Sequence, residues 1–187
     1  MAARMFLVFF CLVIGSFPVC AETVSLNAAR VGDLLVVSIA LKGGDAEQVL
    51  ASIQDGLKSE IVFQARLYER NRGLFSFLGD RVFVEREVVQ VAYFDFFDDM
   101  YVVESELKGT RKYEQREEFL RDFFHLADFS LQDMRYLRRG PGSYYILARI
   151  RLDPVRLVPP LNIISLFNSS VVTPWQEIQI PGQRGLE

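Results

Sequence analysis

Histidine and cysteine are almost absent from this chain of 187 residues, and their scarcity excludes several kinds of chemistry. His125 is the only histidine, so one chain cannot build a zinc site from several histidines. Any pairing of a nucleophile with a histidine would have to use this residue. Both cysteines, Cys11 and Cys20, lie within the first twenty residues. Removal of that segment would leave a domain without disulfides or thiol chemistry.

Basic clusters, phosphate-binding glycine motifs and long apolar runs are also missing. The 21 basic and 24 acidic residues give a net charge of −3, and no basic cluster is large enough to indicate nucleic-acid binding. The glycines at 43–44 and 140–142 are typical of turns. After residue 42, charges or prolines interrupt every apolar run before it could span a membrane. We expect no nucleic-acid partner and no cofactor.

The first twenty-one residues have the pattern of an export signal. Arg4 precedes an apolar run over residues 5–14, Gly15 and Pro18 end that run, and a cleavage-like Val19-Cys20-Ala21 follows. The pattern predicts a mature domain over residues 22–187 in the periplasm or cell envelope. Two alternatives stay open: acylation of Cys20, and retention of residues 5–18 as an uncleaved membrane anchor.

Sequence periodicity predicts mostly β-structure in the remaining chain. Two β-like runs, 24–31 and 34–41, flank the turn pair Gly32-Asp33 and predict a hairpin. Asp45 can cap a helix whose apolar residues recur at helical spacing. Residues 61–68 and 144–152 alternate between apolar and polar, which predicts half-buried strands. Two further strands, 81–94 and 100–107, flank an aspartate-rich turn.

A second helix is predicted by a set of apolar residues spaced three and four apart: Phe119, Leu120, Phe123, Leu126 and Ala127. This helix would place His125 on its polar side. Strands outnumber helices, and the close connections have the character of hairpins. We therefore expect an α+β, β-rich fold, with an antiparallel sheet or sandwich and about two helices packed on it or at its ends.

Three groups of residues could carry chemistry, and each has a plainer structural explanation. His125 could act as a base, but a solvated surface imidazole is the simpler interpretation. Asp95, Asp98 and Asp99 could bind calcium, although aspartate is favoured in turns for its own backbone hydrogen bonds. An anion-attracting patch could form from five basic residues, or they could line a solvated face: Arg111, Lys112, Arg135, Arg138 and Arg139. The sequence therefore predicts no catalytic and no metal-binding residues.

Large apolar side chains in two predicted turns are the most suggestive feature. Leu74, Phe75, Phe77 and Leu78 lie between Gly73 and Gly79, where a connecting loop is normally polar. Phe96 and Phe97 occupy the aspartate-rich turn. These loops could fold back under the sheet, or they could contact a partner. A third apolar segment, 157–161, contains two prolines and favours an extended crossing.

The order of elements resembles a known bacterial family. A helix ending at Gly56-Leu57, the strand 61–68, the aromatic loop 74–78 and the hairpin through Tyr93 and Tyr101 come first. Ala148-Arg149-Ile150-Arg151-Leu152-Asp153 and a Leu-x-Pro-x-Leu segment at 157–161 follow. Together these residues resemble the exported domains of unknown function catalogued as DUF 4390. The resemblance implies an envelope protein, in some genomes encoded near two-component sensor kinases, and it brings no catalytic residues.

The sequence leaves two functional hypotheses. The first, which we favour, is a non-enzymatic envelope domain that binds a protein partner or a membrane surface through Leu74, Phe75, Phe77, Leu78, Phe96 and Phe97. The second is a carrier whose sheet encloses a hydrophobic ligand such as a lipid. An enzyme would have to depend on carboxylates, with or without His125.

Overall fold

The computed structural model describes residues 23–71, 76–137, 143–156 and 170–180. Outside these ranges lie the predicted export signal, Cys20, Leu74, Phe75, Arg138, Arg139 and the segment 157–161. The described strands are β1 (Thr23–Val31), β2 (Leu34–Lys42), β3 (Lys58–Glu69), β4 (Arg81–Asp95), β5 (Met100–Ser105), β6 (Gly109–Tyr113), β7 (His125–Asp133), β8 (Tyr144–Arg156), β9 (Val171–Val172) and β10 (Gln176–Gln179). The helices are α1 (Ala46–Gln54), α2 (Arg116–Phe123) and two short 3-10 turns, Ser76–Leu78 and Met134–Tyr136.

The strands form two antiparallel sheets. The small sheet has the order β1-β2-β7, and the large sheet has the order β10-β8-β3-β4-β5-β6, with β9 also paired to β8. β3 lies at the centre of the large sheet and pairs along most of its length with β4 and β8. The predicted β-rich α+β fold with antiparallel sheet and two helices is confirmed.

One hydrophobic cluster joins the two sheets and both helices. Every second residue of β3 and β8 is buried, as the alternation predicts: Ile61, Phe63, Ala65, Leu67, Tyr144, Ile146, Ala148, Ile150 and Leu152. The small sheet contributes the buried face of β2, formed by Leu35, Val37, Ile39 and Leu41. Most of the stabilisation therefore comes from apolar surface packed between the sheets.

The first hairpin and first helix form where the sequence predicts them. β1 and β2 join through Gly32 and Asp33, and Gly32 has a φ of +61°, a conformation that glycine adopts without steric cost. The Asp45 side chain accepts a hydrogen bond of 3.0 Å from the Gln48 N–H and so caps α1. Val49, Leu50 and Ile53 are buried on the face of α1 toward the core.

The second helix is shorter than predicted. α2 ends at Phe123, and Leu126 and Ala127 belong to β7. One residue, Ser38, separates Val37 from Ile39 on β2, whereas two residues separate their partners Phe129 and Leu126 on β7. The extra residue is a β-bulge at Asp128, whose φ is +52°. The bulge turns Leu126 and Phe129 to the same side and so interrupts the alternation of β7. Leu126 also follows Phe123 at a spacing of three, which imitates a further turn of the helix.

No helix in the described part of the chain is long and apolar enough to cross a membrane.

Phe119 offers a test of the core. It is fully buried, and its ring stacks on Tyr101 at 5.0 Å and on Phe123 at 5.9 Å between centroids. We expect Phe119→Ala to lower the free energy of unfolding by about 3–5 kcal/mol because it leaves a cavity. Leu107→Ala, at a half-exposed position in the β5–β6 turn, should cost less than about 0.5 kcal/mol. Urea unfolding followed by circular dichroism measures both, and similar costs would contradict the core assignment.

Candidate functional site

The two apolar segments lie at opposite ends of β4. Phe77 and Leu78 come just before this strand, and Phe96 and Phe97 come just after it. β4 has 15 residues, so the segments are separated by about 50 Å at ~3.3 Å per residue. All four side chains are exposed, by 78% and 68% at the first segment and by 63% and 101% at the second. They form two separate surfaces, and neither described segment folds back under the sheet.

The second surface is a tight turn organised by Asp95, and we call residues 95–99 the aromatic turn. Asp95 Oδ1 accepts hydrogen bonds from the N–H groups of Phe97, at 3.1 Å, and Asp98, at 3.4 Å. Lys112 on β6 donates from Nζ to Asp95 Oδ2 at 3.1 Å and also to Asp98. Asp99 closes the turn with a φ of +56°, which aspartate tolerates better than most residues.

These contacts shift the pKa values of Asp95 and Lys112. The hydrogen bond from Lys112 lowers the pKa of Asp95, and the N–H groups of Phe97 and Asp98 add to that effect. Hydrogen bonds to Asp98 and Asp95 raise the pKa of Lys112. Asp95 and Lys112 are therefore charged over the neutral pH range, and their ion pair helps to hold the turn in one shape.

Phe96 contacts a continuous series of rings, Phe94, Tyr101 and Phe119, which we call the aromatic stack. Its ring contacts Phe94 edge-on at 5.1 Å between centroids, and Phe94 contacts Tyr101 at the same distance. Tyr101 stacks on Phe119, which lies in the core. Gly56, at the end of α1, also lies close, since a Cβ added there would be 3.7 Å from the Phe96 ring. Phe96 is thus braced from the core outward, and Phe97 projects fully into solvent.

The first surface has a different construction. Ser76–Leu78 forms a single 3-10 turn, in which the Gly79 N–H donates to the Ser76 carbonyl at 3.3 Å. Asp80 closes the segment by accepting from the Asn71 N–H at 2.9 Å and from the Tyr145 hydroxyl at 2.9 Å. Burial, followed by the bond to Asp80, raises the pKa of Tyr145 to about 12.

The structure places each described residue that the sequence singled out for possible chemistry. His125 is the first residue of β7 and pairs with Ala40, so its placement on the polar side of a helix was wrong. No group of three potential metal ligands occurs in the described ranges. Asp95 and Asp98 form ion pairs with Lys112. Each described member of the predicted basic patch is paired with an acid: Arg111 with Asp122, Lys112 with Asp95 and Asp98, and Arg135 with Asp133.

Sequence reasoning missed an arginine–aromatic surface on the outer face of the large sheet. Trp175 packs over the guanidinium groups of Arg66, at 4.6 Å, and Arg149, at 4.4 Å. Tyr68 and Tyr145 stack on each other at 5.2 Å. The alternation in β3 and β8 already places these side chains on the outward face, but β10 and the position of Trp175 beside it carry no recognisable pattern.

The described cavities are surface depressions. One of 490 Å³ lies on the outer face of the large sheet and carries three glutamates, Glu60, Glu104 and Glu106. Another of 410 Å³ lies beside the last turn of α2. Between the sheets, the described apolar side chains form one cluster, and most of them are fully buried. Comparison with known proteins adds nothing to this geometry, since no family model, curated protein or solved structure matches the chain.

The pairing of Lys112 with Asp95 gives a pH-dependent prediction. Because folding depresses the Asp95 pKa, this carboxylate stabilises the fold above its ordinary pKa, and the contribution disappears as the pH falls through the depressed value. Lys112→Gln should move the Asp95 pKa back toward its ordinary range. Carboxyl carbon chemical shifts during an acid titration measure this change. Arg135→Gln, which alters a distant ion pair, should leave Asp95 unchanged, and an unmoved Asp95 in Lys112→Gln would contradict the assignment.

Proposed function

We propose that this chain is a non-enzymatic, exported envelope domain that binds a protein partner through the aromatic turn. The observation that carries the proposal is the pair Phe96 and Phe97: one ring is braced by the core, and the other is fully exposed. The braced Phe96 ring offers apolar contact area with little conformational freedom left to lose, and Phe97 adds a fully exposed ring beside it. Such residues dominate the binding energy of many protein interfaces.

The rigidity of the aromatic turn supports the interpretation that its exposed phenylalanines bind a partner. Asp95 accepts hydrogen bonds from two backbone N–H groups, and Lys112 on β6 forms ion pairs with Asp95 and Asp98. A turn that is already ordered loses little entropy when it docks. The segment at Phe77 and Leu78 is exposed as well, but its described part is one 3-10 turn without a comparable brace from the core.

Charge favours a protein over an anionic membrane at the aromatic turn. Asp95, Asp98 and Asp99 surround the phenylalanines, and Lys112 supplies a single compensating charge. The surface of an anionic bilayer would repel this excess of acid. The complementary partner is an apolar pocket with a basic rim, and the opposite charges would speed its encounter with the turn.

The carrier hypothesis receives less support. A lipid enclosed by the sheets would need space that described side chains occupy, including Phe63, Phe119 and Phe123. Export itself depends on the first twenty-one residues, and the resemblance to DUF 4390 depends partly on residues 157–161. Export and the family resemblance both remain predictions. They indicate the periplasm or cell envelope as the compartment in which a partner should be sought.

Replacement of Phe97 by serine tests the proposal. Because this side chain is fully exposed, Phe97→Ser should change the free energy of unfolding by less than about 0.5 kcal/mol. It should weaken partner binding at least tenfold, roughly the cost of removing an aromatic hot spot. Crosslinking of the full chain in its own cell envelope identifies the partner, and titration with the purified partner measures the affinity.

Phe77→Ser is the matched control because it makes the same change on the opposite end of β4. We expect it to retain the partner, and we expect affinity for the wild type to fall as salt concentration rises. Loss of the partner with Phe77→Ser and its retention with Phe97→Ser would move the binding surface to the other end. Equal retention by both variants would reject binding through either turn.

A further inference from the structure

A groove beside the last turn of α2 has the composition of a small-molecule site. It has a volume of 410 Å³, and its lining comes from β2, α2 and the start of β7: Ala40, Leu41, Leu120, Arg121, Phe124 and His125. We call it the α2 groove. Its volume falls within the range of about 300–1,000 Å³ that is common for ligand pockets. It is separate from the aromatic turn, so a ligand here would be a second binding activity.

Backbone contacts fix the walls of the α2 groove. The Leu41 N–H donates to the Phe124 carbonyl at 3.0 Å, which ties the end of β2 to the end of α2. Ala40 pairs with His125 across the small sheet, and both lie on the face opposite the buried Ile39 and Leu41. The groove therefore belongs to the framework of the fold and not to a loose surface loop.

The base of the groove is closely packed. A Cβ added to Gly44 would lie 2.9 Å from Leu41 Cδ2 and 3.2 Å from Phe124 Cε1. Glycine at this position allows the backbone to approach these two side chains closely. The buried Leu41 thus supports Phe124 from below, and Phe124 lines the groove together with Leu120.

Polar groups in the lining are confined to Arg121 and His125. Neither side chain forms an ion pair or a hydrogen bond with another described residue, whereas Arg66, Arg70 and Arg111 each pair with an acid. No carboxylate lines the groove. The Arg121 guanidinium and an imidazole N–H of His125 can both donate to an anion in the groove, and no lining carboxylate competes with that anion.

We propose that the α2 groove binds a single-chain amphiphile with a carboxylate head. The carboxylate would accept hydrogen bonds from Arg121 and His125, and the hydrocarbon chain would lie against Ala40, Leu120 and Phe124. Charge complementarity selects the head because the lining is cationic, and the apolar base selects the chain. This proposal does not depend on the aromatic turn or on any protein partner.

Three probes separate the contributions of head and chain: octanoate, octanol and acetate. Octanoate is titrated into the full chain below its micelle concentration and octanol below its solubility limit. Acetate covers the same range as octanoate, and the amide shifts of the protein are followed by NMR. Octanoate should shift the amides of Leu41, Phe124 and His125 and bind more tightly than either other probe. Octanol lacks the charge for Arg121, and acetate lacks the chain for the apolar base.

Two variants complete the test. Arg121→Gln should weaken octanoate binding by about tenfold while octanol binding stays the same, because only a charge-assisted hydrogen bond is lost. Ala40→Phe should block both probes by filling the groove from the outer face of the small sheet. Arg86→Gln removes a similarly exposed cation from β4 and should change neither.

Several results would overturn the proposal. Octanoate and octanol could bind with equal affinity, Arg121→Gln could leave octanoate affinity unchanged, or the shifted amides could lie away from the α2 groove. Absence of any shift with octanoate would also reject it. Circular dichroism of each variant establishes that the fold is intact, so that a loss of binding reports on the groove.

Discussion

The pairing of β3 with β4 and β8 is the constraint on which the rest of the molecule depends. β3 buries every second side chain from Ile61 to Leu67, and its neighbours must match that alternation or place polar groups in the core. β4 continues beyond its pairing with β3 and also pairs with β5. The length of β4 sets the separation of the two apolar turns. The position of each exposed phenylalanine is therefore a consequence of the central register.

Strand alternation made much of this fold predictable from the sequence. The first hairpin, α1, β3, β4, β5 and β8 all appear where apolar periodicity and turn residues indicate them. β7 was missed because Leu126 and Ala127 follow Phe123 at helical spacing and the bulge at Asp128 interrupts the strand's alternation. β6 reads Gly-Thr-Arg-Lys-Tyr and has no apolar alternation, and β9 and β10 are too short to show a period. β7, β9 and β10 pair with strands that are distant in the sequence, whereas β6 follows its partner β5 through a short turn.

The candidate sites were only partly visible in the sequence. Phe96 and Phe97 drew attention because apolar residues in a turn are unusual, but their support comes from Lys112 on another strand and from the aromatic stack. The sequence instead grouped Lys112 with arginines as an anion patch, since charge spacing alone does not show which acid each cation meets. The α2 groove joins residues about eighty positions apart, Ala40 with Arg121 and His125, through long-range pairing that local patterns do not encode.

The aromatic stack also bears on whether the two proposed sites communicate. It continues from Phe96 through Tyr101 and Phe119 to Phe123, whose ring lies 5.2 Å from Phe124 in the α2 groove. Spatial continuity alone does not produce coupling, which requires an element with two arrangements that both ligands bias. Phe119 and Phe123 are fully buried in a close-packed core that leaves little room for a second arrangement. The stack therefore acts as a fixed brace, and we expect the aromatic turn and the α2 groove to bind independently.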